Sequence, residues 1–194
     1  MANPKYGSLS DSARDARRYR NLLLALSSAI EALQGMERNA PSIDLVLHRL
    51  LGDLADALNA QHAFVALLRE NQNRSEHWFE LTAVWPASNR IGRRLDPSPV
   101  LDDLSRDGKV KVIDPLGDPS PSGIQGLELF DATSAVLARM QTASQTRIVG
   151  ICNQRTPTFG PYLAADGMAL DSIVELVALG ARAGERRRRE LDGI

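Results

Sequence analysis

The last third of the chain constrains its fold most. Thr133 to Met140 (TSAVLARM) and Arg147 to Cys152 (RIVGIC) are two short apolar runs separated by a polar turn. Runs of this length, rich in aliphatic residues and bounded by turn formers, are strand signals, and so short a turn joins antiparallel neighbours. The loop NQRTPTFGP follows, and from Tyr162 an amphipathic segment runs to the Arg186–Arg189 cluster. Within it Leu170, Ile173, Val177, Gly180 and Gly184 recur at spacings of three and four, the period of one helix face. The strands need a sheet to join and the helix needs a face to cover, so this stretch is the closing half of a mixed domain.

The preceding residues supply the other half. Residues 1–10 are polar and contain Pro4 and Gly7, which predicts a disordered tail. Residues 11–36 read as a helix, with Ser10 as N-cap and Asp11 in its first turn. Leu22, Leu26, Ala29, Leu33 and Met36 form a narrow coiled-coil-like seam on it, flanked by Leu23 and Ile30. A second helix begins near Ser42, carries Ile43, Leu47, Leu50, Leu54 and Leu58 on one stripe, and ends at Asn59 or Ala60. The period then shifts to that of strands at His62–Leu68 (HAFVALL) and Trp78–Trp85 (WFELTAVW), joined by the polar loop ENQNRSE. Pro86–Pro99 has no clear period. A short helix around Val100, Leu101 and Leu104 ends at Asp107-Gly108, and Lys109–Ile113 (KVKVI) alternates as an edge-like strand closed by Asp114-Pro115. Leu116 to Asp131 is a second irregular insert.

This order predicts an α+β sandwich, a central antiparallel sheet of five to six strands. The first, second and last helices should cover one face. The two inserts fall on the other, where they could roof a cavity.

Bulk properties exclude several classes. A chain of 194 residues suits one domain with added helices. Its net charge of -1 offers no global field for nucleic acid or an anionic membrane. One cysteine, Cys152, can neither close an intramolecular disulfide nor build a cysteine zinc cluster, which fits a reducing cytoplasm. No apolar run approaches the roughly 20 residues of a membrane span, and the N-terminus lacks the pattern of a signal peptide. A cytoplasmic protein with no nucleic-acid or membrane partner is the expectation.

Four segments in order carry a family resemblance. They are KVKVIDPLGDP, an apolar strand ending in Asp; SAVLARM, in place of a Ser-x-Leu-x-x-Pro-Leu-like strand; RIVGICNQ, in place of an Ile-Gly-x-Leu-x-Leu strand; and Phe159 with Asp166 ahead of the last helix. Together they resemble the GAF domain, a small-molecule-binding and dimerising module of signalling proteins, with a profilin- or PAS-like sandwich. The resemblance spans residues 42–184, between an N-terminal dimerisation helix at 11–36 and a helix end at 185–194. Arg139-Met140 stands where Pro-Leu is usual and GPYLAAD lengthens the gap from Phe159 to Asp166, the marks of a divergent member. The resemblance implies a sensory or regulatory homodimer that binds an unknown small molecule and signals to a downstream partner. The alternative is an interaction module whose pocket is collapsed.

Specialised uses of such a fold have residue requirements. Bilin attachment needs an accessible cysteine, whereas Cys152 in an inner strand reads as a small buried thiol. Haem needs an axial histidine, but His48 lies on a polar helix side and His62 and His77 begin strands. A cyclic-nucleotide set would use Asn153, Arg155, Phe159 and Asp166, with Gly167 where Glu would stand; turn closure, helix capping and core filling account for the same residues. No thiol relay, Ser-His-Asp spacing, P-loop or GxGxxG occurs, so no catalytic residue, cofactor or metal is assigned and no enzyme is expected. For ligand binding the candidates are Trp78 and Trp85, expected on opposite faces of one strand, with Asp114, Phe130, Thr133 and Ser134 at the rim of the second insert. For the dimer interface they are Leu22, Leu26, Leu33, Ile173, Val177, Gly180 and Gly184. The two glycines suit a close approach of helices.

Overall fold

A computed structural model describes residues 16–31, 34, 43–71, 76–113, 123–156 and 161–192. The expected tail, the Ser10 cap, Leu33, Met36, Asp114 and Phe159 lie outside these residues.

Helix α1 covers 16–31. Arg18, Ala25 and Ala29 are buried along one stripe, and Leu22 and Leu26 pack half-buried beside them. Alanine at the contact lets the helix axis lie close to its neighbours. Helix α2 (Ile43–Ala57) has Asp44 in its first turn, where the dipole favours it, and buries Leu47, Leu50, Leu51 and Leu54. Asn59 ends it in the left-handed conformation (φ 52°), which asparagine adopts more readily than most residues.

Strands β1 (Ala60–Glu70) and β2 (His77–Trp85) form an antiparallel pair, and β3 (Arg94–Leu95) adds two residues at the edge. Helix α3 (Pro99–Asp107) starts on a Ser98 cap that accepts from the Leu101 N–H at 3.4 Å, with Pro99 in the first turn. Gly108 ends it at φ 70°. Strand β4 (Lys111–Ile113), a short 3-10 turn (Glu128–Phe130), β5 (Ala135–Gln141), β6 (Thr146–Gln154) and α4 (Ala164–Asp192) complete the order.

The six strands form one antiparallel sheet in the order β3-β2-β1-β6-β5-β4, with the KVKVI strand at an edge as its alternation implied. The sheet separates two apolar layers. On one face Ala63, Val65, Ala83, Val136, Val149 and Ile151 meet α1, α2 and α4. On the other Phe64, Phe79, Leu81, Leu137 and Ile148 meet α3 and the second insert through Leu101, Leu104, Ile124, Leu127 and Phe130. Apolar residues on both sides explain why β1 and β6 read as near-continuous hydrophobic runs. Gly150, central in β6, is required for this packing. A Cβ there would collide with the Phe64 ring and lie 2.8 Å from Leu137 Cδ2.

One irregularity reverses a sequence expectation. Val65 pairs with Ala83 but Ala66 pairs with Leu81, so Thr82 is an extra residue bulged out of β2. The bulge shifts the alternation by one. Trp78 and Trp85, seven apart and expected on opposite faces, therefore share one face, the helix side: Trp78 pairs with Arg69 and Trp85 with Ala63.

Candidate functional site

The candidate site is the insert face of the sheet, built on β1 and β6 and covered by the strap from Gly123 to Ser134. The strap is pinned from below. Asn153, at the end of β6 with φ 53°, turns its side chain into it. Its Oδ1 accepts from the backbone N–H of Thr133 at 2.8 Å and from that of Ser134 at 3.4 Å. Its Nδ2 donates to the carbonyls of Phe130 and Asp131, both at 3.1 Å. Backbone N–H groups from Asn153 to the Ser134 carbonyl (2.9 Å) and from Ile124 to the Ala132 carbonyl (2.8 Å) close the strap on both sides.

This pinning presses Phe130 into the face. Its ring stacks on Phe64 at 4.9 Å between centroids and 13° between planes. His62 leans on the same ring at 5.7 Å, and the Arg90 guanidinium carbon lies 5.3 Å from its centroid. Burial holds the His62 imidazole below the ordinary histidine pKa, a shift that Arg90 reinforces and Asp131 opposes. Cys152, opposite His62 on β6, is fully buried, and the loss of water raises its thiol far above the usual range. It is not a reactive thiolate.

The sequence-derived candidates divide accordingly. Phe130, Thr133 and Ser134 come together in the strap, where Thr133 and Ser134 direct backbone groups to Asn153. Trp78 and Trp85 do not join them. Trp78 sits under the Arg94 guanidinium at 4.3 Å. Trp85 packs beside Gly52 of α2, with the Arg155 guanidinium 4.5 Å over its ring. Arg155 also donates to the Ala60 carbonyl at 2.6 Å and pairs with Asp56 at 2.7 Å, so it fastens α2 to the sheet. Asp166 is on the helix side too. Its carboxylate accepts from the Leu163 N–H at 2.7 Å, closing the first turn of α4, and pairs with Arg18 of α1. Asn153, Arg155 and Asp166 thus serve the fold, and the described residues assemble no nucleotide set from them.

The interface candidates also need correction. Ile173, Val177 and Gly180 are buried within the single chain, and Leu22 and Leu26 pack half-buried against its own core. Gly184 differs, with no atom within 4 Å of where its Cβ would stand. The apolar residues that α1 leaves exposed are Tyr19, Leu23, Leu24 and Ile30. Among the described residues no group of three or more His, Cys, Asp or Glu is arranged to hold a metal. No described helix is long and apolar enough to cross a membrane.

Sequence reasoning set His62 aside as a strand-end histidine and gave Arg90 no role. The signal for His62 was its phase: it stands two residues before Phe64 and so shares the face that Phe64 fills.

No family model matches the sequence, and a search among curated proteins finds no match. Solved structures do match. The phycoerythrobilin-bound GAF domain of a cyanobacterial phytochrome superposes with a TM-score of 0.61 over 84% of this chain and 97% of its own, at 12% identity. The chain has the GAF fold. The GAF domain of a phosphoenolpyruvate-protein phosphotransferase from Coxiella burnetii gives a TM-score of 0.60 at 14% identity, covering 90% of this chain and 98% of that one. The nlh2 GAF domain of A. Aeolicus, in an inactive state, gives 0.58 at 10% identity over 84% and 96%. At such identities the likeness is one of fold, and the site must be argued from this chain's own residues. In the GAF fold seen here, the insert face holds the aromatic strap and the opposite face holds the terminal helices.

Proposed function

We propose that this chain is a non-catalytic sensory or regulatory GAF domain that takes up a small molecule on the insert face of its sheet and passes the change to its helices. One observation carries the reading: the same two strands serve both layers. On β1, His62 and Phe64 face the strap while Ala63 and Val65 face the helices, and β6 does likewise with Cys152 and Ile151. A ligand that moved Phe130 would act on strands that also seat α2 and α4. The bilin held by the phytochrome domain supports the use of this fold for a planar ligand. Two copies would meet through the open apolar row of α1, and the signal would leave along α4 to a downstream partner.

A second reading rests on its own observation. Phe64, Leu127 and Phe130 are at most 1% exposed, so the described strap packs into the face and does not arch over it. Such a face also suits an interaction module that binds nothing. Thermal unfolding with a panel of metabolites, read beside sedimentation of the same samples, separates the two. The sensory reading expects a ligand that raises the melting temperature by binding the native state and alters the dimer equilibrium. Uniform silence across the panel would leave the interaction module.

A further inference from the structure

Beside the strap, the insert face ends in a polar group that the packing does not satisfy. His62 stands on this face, two residues before Phe64 on β1. Its Nδ1 is buried without a hydrogen-bond partner. Native interiors leave few polar atoms orphaned, and such an atom marks a locus that expects a polar partner.

Charged groups frame the same locus. Arg90 lies over Phe130 on one side. Asp131, the next residue of the strap, is exposed and held in the left-handed region at φ 47°. Neither forms an ion pair with the other or with another described residue. Both act on the His62 imidazole through their charge, Arg90 opposing its protonation and Asp131 favouring it. An unpaired cation and an unpaired anion beside an imidazole with an orphaned nitrogen complement a molecule that carries both charges. The guanidinium fork suits a carboxylate and the Asp131 carboxylate suits an ammonium. A phosphate dianion would meet one cation only and the repulsion of Asp131.

We propose that this end of the insert face binds a small zwitterion, a free α-amino acid. The proposal names the ligand class of the sensory reading above and rests on it.

The test is calorimetry and thermal unfolding of the full chain with each proteinogenic α-amino acid, with the matched desamino acids and decarboxylated amines, and with nucleotides and inorganic phosphate. At least one amino acid should bind saturably and raise the melting temperature, while its analogues lacking either charge do not. Arg90→Gln and Asp131→Asn should each weaken that binding by about tenfold or more, the loss of one charge-assisted contact. Asparagine tolerates the left-handed backbone at 131, and exposed His48→Gln serves as the unaffected control. Amino-acid binding left intact in both variants overturns the site. Binding of a nucleotide, phosphate or desamino acid with the amino acids silent overturns the zwitterion but leaves the sensory reading standing. Silence of every compound overturns both.

Discussion

Arg18 of α1 reaches Asp166 at the start of α4, 148 residues later in the chain, and both side chains are buried. Arg18 also donates to the Pro161 carbonyl at 3.0 Å, and Asp166 accepts from the Leu163 N–H. The pair thus clasps the N-terminal helix to the turn that opens the C-terminal one. It fastens the two elements that resemblance to a signalling module made the candidate output.

The clasp is testable through stability and its pH dependence. Removing one member of a buried ion pair strands the other, so Asp166→Ala should cost about 3–5 kcal/mol. Arg18→Ala should behave differently with pH. Burial raises the Asp166 carboxyl, while the Leu163 N–H and Arg18 hold it back. A carboxyl raised in the folded state keeps its proton where the unfolded chain has lost it. The stability this gives is present below the unfolded value and is lost as pH rises through the folded one. Without Arg18 the folded value climbs further. The cost of Arg18→Ala measured by urea unfolding should therefore be smaller near about pH 5 than near about pH 7.5. A cost independent of pH would mean that the pair is not the source of the coupling.

Gly150→Ala tests the close approach of Phe64 to β6. The added methyl would strike the Phe64 ring and crowd Leu137. Overpacking of this kind costs about 1–3 kcal/mol. Phe64→Leu in the same chain should recover part of it, because the smaller side chain gives the methyl room. Equal stability of wild type and Gly150→Ala by chemical denaturation would show that the ring does not sit over Gly150.

Asn153→Ala should release the strap. The substitution deletes the side-chain contacts to residues 130–134 and places alanine at φ 53°. A loss of about 4 kcal/mol follows from its four hydrogen bonds to the strap backbone, taken at about 1 kcal/mol each net. Asn153→Asp keeps the acceptor for Thr133 and Ser134 but turns a carboxylate oxygen toward the Phe130 and Asp131 carbonyls, so it too should lose stability. Faster amide exchange across 130–134 in both variants is the accompanying signature; unaltered exchange there would count against the pinning role.

The legible parts of this molecule were those with a long period. HAFVALL and RIVGIC announced strands apolar on both sides, and the Leu47, Leu50 and Leu54 stripe announced α2. Placement of the helices on one face and the inserts on the other followed from element order. β3 was invisible, because two residues carry no period. The faces of Trp78 and Trp85 were misread because one bulged residue, Thr82, shifts the alternation, and nothing in its chemistry signals a bulge. The helix seam was read with Leu22, Leu26 and Ala29 in it, and these pack on the core, but Ala25, buried beside them, went unread. Small residues bring helices close without standing out in a hydrophobic pattern. Gly180 was assigned to a partner's helix on similar grounds, although the chain buries it by itself. The polar end of the site escaped because Arg90 lies in an aperiodic loop and meets His62 only in three dimensions.

The final prediction concerns assembly. Tyr19, Leu23 and Ile30 follow one stripe of α1 at offsets of four and seven, with Leu24 beside it, and each is more than 40% exposed. The inward stripe of the same helix packs on the chain's own core, so this outer row is the surface through which the proposed dimer would form. Leaving a leucine or isoleucine uncovered forgoes about 1.5–3 kcal/mol. Leu23→Glu with Ile30→Glu removes four such side chains from a two-fold dimer, and should raise its dissociation constant by about a thousandfold or more. The melting temperature extrapolated to the monomer should barely move, because these residues touch little within the chain. Val177→Ala is the converse case, since Val177 is fully buried. It should lower stability by about 1–3 kcal/mol with dissociation unchanged. Sedimentation equilibrium across the micromolar range reads both effects. A wild-type chain that stays monomeric throughout would remove α1 as a dimer surface, and equal losses of assembly in the two variants would return the interface to the buried face.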